Sequence, residues 1–128
     1  MKKLAKVILG ITLLSGAAYA DFKDEVAIQS KRMYSNFEMK MRADDSLKVG
    51  KNNLKVLIEH DEHNFVNADV TLEIDYNGKK TVYNYTDVSN LGYYKFPVEF
   101  STKGVYNYRI KFSKAGFNER SFFGQLSL

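Results

Sequence analysis

Four side chains in this sequence have the types and spacing to hold a metal ion: Met39, Met41, His60 and His63. Met39 and Met41 lie two residues apart in an alternating stretch. On a β-strand they share a face, about 6.7 Å apart along the chain, so two flexible thioethers can converge on one ion. His60 ends the next alternating run, and His63 follows across Asp61-Glu62. If the two runs pair antiparallel, the start of the first meets the end of the second, and Met39 approaches His60. Thioether and imidazole together are copper ligands, Met for Cu(I) and His for either oxidation state. His60 and His63 alone would also take Zn(II) or Ni(II) weakly, with a third ligand that the sequence does not identify. A plainer reading uses the same residues. Met alternating with charge is what a core-facing strand looks like, and both histidines are then turn residues.

Composition removes most other chemistry. The 128 residues are one domain's worth. There is no Cys, hence no disulfide, thiolate metal site or cysteine nucleophile. The formal charge is +4, but Lys2, Lys3 and Lys6 sit at the extreme N terminus. Without them 16 of the 19 basic residues face 15 acids. That balance is too even for a nucleic-acid surface. No Gly-x-Ser-x-Gly elbow or His-Glu-x-x-His pair is present. Gly78-Lys79-Lys80-Thr81 is similar to the end of a phosphate loop, but Glu73 stands where the first Gly is needed. The expectation is a protein that is not an enzyme.

The elements that must position these residues are strands. Phe37, Met39 and Met41 alternate with Glu38, Lys40 and Arg42 up to Ala43. Leu54, Val56 and Ile58 follow Gly50. Asp61-Glu62-His63-Asn64 reads as a turn. Ala68 to Tyr76 alternates most cleanly, and Asn77-Gly78 is the preferred pair of a type I′ hairpin. Thr81 to Thr86 returns. Tyr94 to Phe100 and Tyr106 to Phe112 alternate again, and Phe122 to Leu128 closes the chain. Pro97 cannot donate to a ladder, which puts its strand at an edge or a bulge. Seven strands with short turns and no amphipathic helix predict an all-β, immunoglobulin-like antiparallel β-sandwich. All Phe and Tyr except Tyr19 fall after residue 20, and this aromatic mass stands in for disulfides in the core. Tyr83, Tyr85, Tyr93, Tyr106 and Tyr108 form either a stacking face or cross-strand pairs in the core. The core is favoured, because Tyr106 and Tyr108 share a face with Ile110 and Phe112.

The N terminus reads as a bacterial secretory signal peptide. It has a basic start, an apolar run from Val7, and Ala18-Tyr19-Ala20 as the cleavage site. The run is shorter than the ~20 residues of a spanning helix, so no stable membrane span is expected after cleavage. The organisation expected is a signal peptide over 1–20, a polar arm over 21–36 and the sandwich over 37–128, with a periplasmic or secreted location.

Leu47-Lys48-Val49-Gly50-Lys51-Asn52-Asn53-Leu54-Lys55-Val56 resembles the opening of the YtkA-like domains. Asn67-Ala68-Asp69-Val70, Gly92-Tyr93-Tyr94-Lys95-Phe96 and Gly104-Val105-Tyr106 resemble later strand entries of that family. The resemblance implies an exported or membrane-tethered β-sandwich that is not an enzyme. Some members are linked to copper resistance or to haem–copper oxidase assembly, including the related FixH proteins. Copper-linked members carry a Met-Pro-rich loop after the third strand, whereas Tyr76 to Gly92 here holds neither Met nor His. The function expected is therefore an exported binding or accessory domain, with copper as the candidate metal and Met39, Met41, His60 and His63 as its ligands. The partner would be a metal ion or an envelope protein. The alternative is a structural or protein-interaction module with no metal.

Overall fold

A computed structural model describes residues 25–33 and 36–128. The signal-peptide reading and the first residues of the arm lie outside that range. Among the described residues ten strands follow one another: β1 (Val26–Met33), β2 (Phe37–Ala43), β3 (Gly50–His60), β4 (His63–Asn64), β5 (Asp69–Tyr76), β6 (Lys79–Asn84), β7 (Asp87–Val88), β8 (Tyr94–Phe100), β9 (Val105–Lys114) and β10 (Phe117–Ser127). One sheet has the order β1-β2-β3-β8-β7, with β4 paired to β3. The other has the order β10-β9-β5-β6. Every pairing is antiparallel. This is the expected all-β, immunoglobulin-like sandwich. Among the described residues no helix is long and apolar enough to cross a membrane.

Period-two sequence makes the two inner faces. Phe37, Met39 and Met41 of β2, Leu54, Val56 and Ile58 of β3, and Phe96, Val98 and Phe100 of β8 meet Val70, Leu72, Ile110 and Phe112 across the core. Their alternate neighbours face the other side of each sheet and are charged or polar, except Leu57 and Pro97. Asn77 and Gly78 both take positive φ, as the type I′ turn between β5 and β6 requires. Pro97 pairs with Asn53 of β3, and β7 ends its pairing at Lys95, so the Pro lies on an open edge.

Within the stretch read as an arm, Val26–Met33 forms β1 on the edge of β2. The alternation is broken there by a bulge between Ala27 and Gln29, which turns Gln29 toward the second sheet. Gln29 Oε1 accepts the Tyr108 hydroxyl at 3.0 Å, and Gln29 Nε2 donates to the Gln125 carbonyl at 3.3 Å. Burial pushes the Tyr108 hydroxyl up to about 12. The Tyr108 ring crosses Gly124, its cross-strand partner, where a Cβ would lie 2.5 Å from the hydroxyl oxygen. The start of β1 is pinned by charge. The Glu25 carboxylate, 6% exposed, pairs with Arg42 at 3.4 Å and closely with Lys55. Burial pushes the Lys55 ammonium down, but its bond to Glu25 and the charges of Glu25 and Asp44 raise it overall.

The tyrosines work inside the fold. Tyr94 donates to the Phe65 carbonyl at 2.9 Å and accepts from Ala68 N–H at 3.2 Å, which fixes the crossover between the sheets. Tyr106 does the same for Thr102, and Tyr83 for Glu99. Tyr93, Tyr106 and Tyr108 are buried, and Tyr83 and Tyr85 pack against the core.

Tyr94→Phe leaves a buried carbonyl and a buried N–H unpaired and should cost about 1–3 kcal/mol in urea unfolding. An unchanged midpoint would contradict the clamp. Gly124→Ala forces a Cβ into the Tyr108 ring and should cost about 1–3 kcal/mol. Pairing it with Tyr108→Leu should recover much of that loss, and the double variant's unfolding midpoint checks the cause.

Candidate metal site at the β3–β4 hairpin

The register of β2 on β3 decides which candidate ligands meet. Phe37 lies opposite His60, Met39 opposite Ile58 and Met41 opposite Val56. Cross-strand partners share a face, so all three candidates of this pair of strands point inward. Met39 is diagonal to His60, a separation of about 7–8 Å. The place directly opposite His60 belongs to Phe37, whose ring stacks on the imidazole with centroids 4.2 Å apart. Met39 and Met41 are wholly enclosed, each 0% exposed. They pack in the continuous hydrophobic core, and an ion could reach either sulfur only if the sheet opened.

The histidines are placed differently. Asp61 and Glu62 form a two-residue turn, and His60 and His63 are direct cross-strand partners on either side of it. Their side chains therefore leave one face of the hairpin together. The His60 side chain is 28% exposed and His63 is exposed. The Asp61 carboxylate lies 3.6 Å from His60 Nε2. Both turn residues have positive φ, 52° and 68°, with no Gly to relieve it. The neighbourhood holds them there. Asp61 N–H donates to the Asn36 carbonyl at 3.1 Å, and Phe65 N–H to the Ile58 carbonyl at 2.8 Å. Asn64 Nδ2 donates to the Leu91 carbonyl at 2.9 Å. Beside the turn, an open concavity of about 410 Å³ is bordered by Met33, Asn36, Glu38, Asp61 and Glu62.

Around the imidazole stands an aromatic wall. Phe117 meets the His60 ring edge-on at 5.3 Å, and Phe65 meets it at 6.4 Å. Arg120 lies over Phe37 at 5.1 Å and Lys114 over Phe65 at 5.0 Å. Phe65, Phe117, Lys114 and Arg120 carry no mark in the sequence. Phe65, Phe117 and Lys114 fall in or beside turns and Arg120 follows a bulge in β10, and only the closing of the second sheet brings them to the wall around His60.

Among the described residues no group of three or more His, Asp or Glu is arranged to hold a metal ion. The hairpin thus offers two imidazoles, and an ion bound there would keep open coordination positions.

No protein-family model and no curated protein matches the chain. Solved structures do. A DUF4426 family protein from Pseudomonas aeruginosa PAO1 is similar at a TM-score of 0.62 and 16% identity, over 78% of this chain and 96% of that one. FetP of uropathogenic E. coli strain F11, recombinantly expressed in the periplasm of E. coli, is similar at 0.55 and 12%, over 81% and 95%. A copper-bound variant of FetP aligns at 0.46 and 14%, over 81% and 99%. The first two likenesses extend the sandwich assignment over nearly the whole of those chains.

The turn itself can be tested. Glu62→Gly removes a side chain from a left-handed position and should raise stability by about 1 kcal/mol. A thermal midpoint that falls would show that Glu62 makes a contact worth more than the strain.

Proposed function

We propose that this chain is an exported, non-enzymatic β-sandwich that binds a metal ion, with copper preferred, through the cross-strand pair His60 and His63. The observation that carries the reading is the register, which sets the two histidines opposite each other across a turn rich in carboxylates. Two imidazoles on one ribbon face form a bidentate site. Imidazole donors follow the Irving–Williams order, in which Cu(II) is held more tightly than Ni(II) or Zn(II). Asp61 and Glu62 bring negative charge to the same place.

The four-ligand set narrows under this reading. Met39 and Met41 support the site by building the wall beneath Phe37, and binding through their sulfurs would need the core to open. The N-terminal basic and apolar segment supports export. The YtkA-like resemblance of the β3, β5, β8 and β9 entries points the same way. The interaction-module reading has less support. Exposed Val82 and Phe123 stand at opposite ends of one cross-strand row, with Glu73 and Arg109 between them, so they do not join into an apolar patch.

The test is a chelator-competition titration of the chain from Asp21 onward with Cu(II) and with Cu(I). His60→Ala and His63→Ala should each weaken Cu(II) binding at least tenfold, and Met39→Leu/Met41→Leu should leave it unchanged. Wild-type binding no stronger than that of the double His variant would overturn the reading.

A further inference from the structure

A strand at the edge of a sheet presents unpaired N–H and C=O groups to any other strand. Stable folds guard such edges with bulges, Lys, Pro or a covering group. Each sheet here ends in two edges, and all but one are guarded. β1 has the bulge between Ala27 and Gln29 and carries Lys31 and Arg32. β7 is two residues long. Beyond it β8 turns outward Pro97, which has no N–H, and Glu99, whose N–H and C=O both bond the Tyr83 hydroxyl. β6 opens with Lys79-Lys80.

β10 lacks these devices. From Arg120 to Ser127 its register on β9 is unbroken. The strand holds no Lys and no Pro, and after Arg120 it is uncharged. The Leu128 N–H bonds back to the Gly104 carbonyl, just before β9. The Gln125 carbonyl points away from β9, where Gln29 Nε2 reaches it at 3.3 Å. By alternation Ser121 and Phe123 turn their N–H and C=O groups outward, and those groups have no partner among the described residues. The Phe123 side chain stands beside them on the outer face, 62% exposed.

We propose that this chain self-associates through β10, two copies pairing antiparallel about a two-fold axis at Phe122 and joining their second sheets into one. Charge and register select a second copy as the occupant. Like charges set opposite each other oppose strand pairing. Lys79-Lys80 would meet that penalty on β6, and the uncharged run of β10 does not. Gln29 already holds the Gln125 carbonyl, so the pairing centres on the residues before it. An axis at Phe122 sets Ser121 opposite Phe123 of the second copy, and Phe123 opposite its Ser121. Each pair can exchange both N–H···O bonds, and the contact is isologous. The two Phe123 rings become diagonal neighbours on the outer face, within reach of each other. Glu119 then meets Gln125 and Arg120 meets Gly124, so no charge faces its like. One strand edge and one ring a side lie at the small end of specific interfaces, so the dimer is reversible. It needs neither His60 nor His63 and stands apart from the metal-binding reading.

The test is sedimentation velocity of the chain from Asp21 onward, in EDTA, over a wide range of concentration. Wild type should pass from monomer to dimer as concentration rises. Amide hydrogen exchange at the two ends of the range locates the contact and needs no variant to fold. The Ser121 and Phe123 amides should exchange several-fold more slowly in the dimer. Phe123→Lys brings like charges together across the axis and should weaken association at least tenfold. Its unfolding midpoint should stay near wild type, because the ring is exposed. Val82→Lys, on β6, should leave association unchanged. A chain that stays monomeric at every concentration would overturn the proposal and leave the β10 edge open to a strand of another protein. A dimer whose Ser121 and Phe123 amides exchange as in the monomer, or which Val82→Lys weakens as much as Phe123→Lys, would overturn it as well and put the interface elsewhere.

Discussion

Two sheets without a disulfide must be held in one relative placement, and here tyrosine hydroxyls supply much of that constraint. An inner face of Phe, Tyr, Leu and Ile gives a large, non-directional drive to collapse. It does not by itself fix where one sheet sits on the other. Tyr94 fixes the crossover at Phe65 and Ala68. Tyr83 reaches from β6 to the backbone of β8, and Tyr108 reaches from β9 to Gln29 on β1. The Tyr94 hydroxyl meets two polar groups that would otherwise be left unpaired in a dry place, while the Tyr108 bond is partly buried and the Tyr83 bond lies at the surface. The bonds are worth little singly in net terms, yet losing one partner is expensive. That asymmetry makes the alignment of the sheets specific.

The candidate site follows from that alignment. The crossover held by Tyr94 begins at Phe65, one residue after β4, so the clamp also anchors the base of the His60–His63 hairpin. The same crossover carries Phe65 under Lys114 and against Phe117 of the other sheet. The hairpin is therefore a rigid projection from the core, stiff enough to hold Asp61 and Glu62 at positive φ. Preorganisation of two donors lowers the entropy that a metal ion would otherwise have to overcome on binding. The core sulfurs lie one layer deeper on the same face, where they pack and do not reach solvent.

Much of this was legible from the residues alone, for physical reasons that differ by element. β2, β5, β8 and β9 alternate strictly because one face is dry and one is wet. The antiparallel meeting of the Phe37 end of β2 with the His60 end of β3 was also readable. The position opposite His60 was not. The loop between Ala43 and Gly50 sets the register, and it places Phe37 there rather than Met39. β1 escaped the pattern because it is an edge strand with a bulge, its residues half-buried or exposed and none of them fully buried. Arg120 and Lys114 reach the site only through the packing of one sheet on the other, which no local pattern encodes. The tyrosines read correctly as core residues, but their hydroxyl bonds to distant backbone did not show in the sequence.

The central claim is that the metal chemistry of this fold lies on the β3–β4 hairpin and not in the methionine layer beneath it. The most direct measurement is NMR of the chain with 13C-methyl methionine and 15N-imidazole labels, titrated with Cu(I), which leaves the spectrum free of paramagnetic broadening. The account predicts that the His60 and His63 imidazole nitrogens move to bound positions, while the Met39 and Met41 methyl signals stay where they are. Movement of the two methyl signals with the imidazoles unmoved would contradict it.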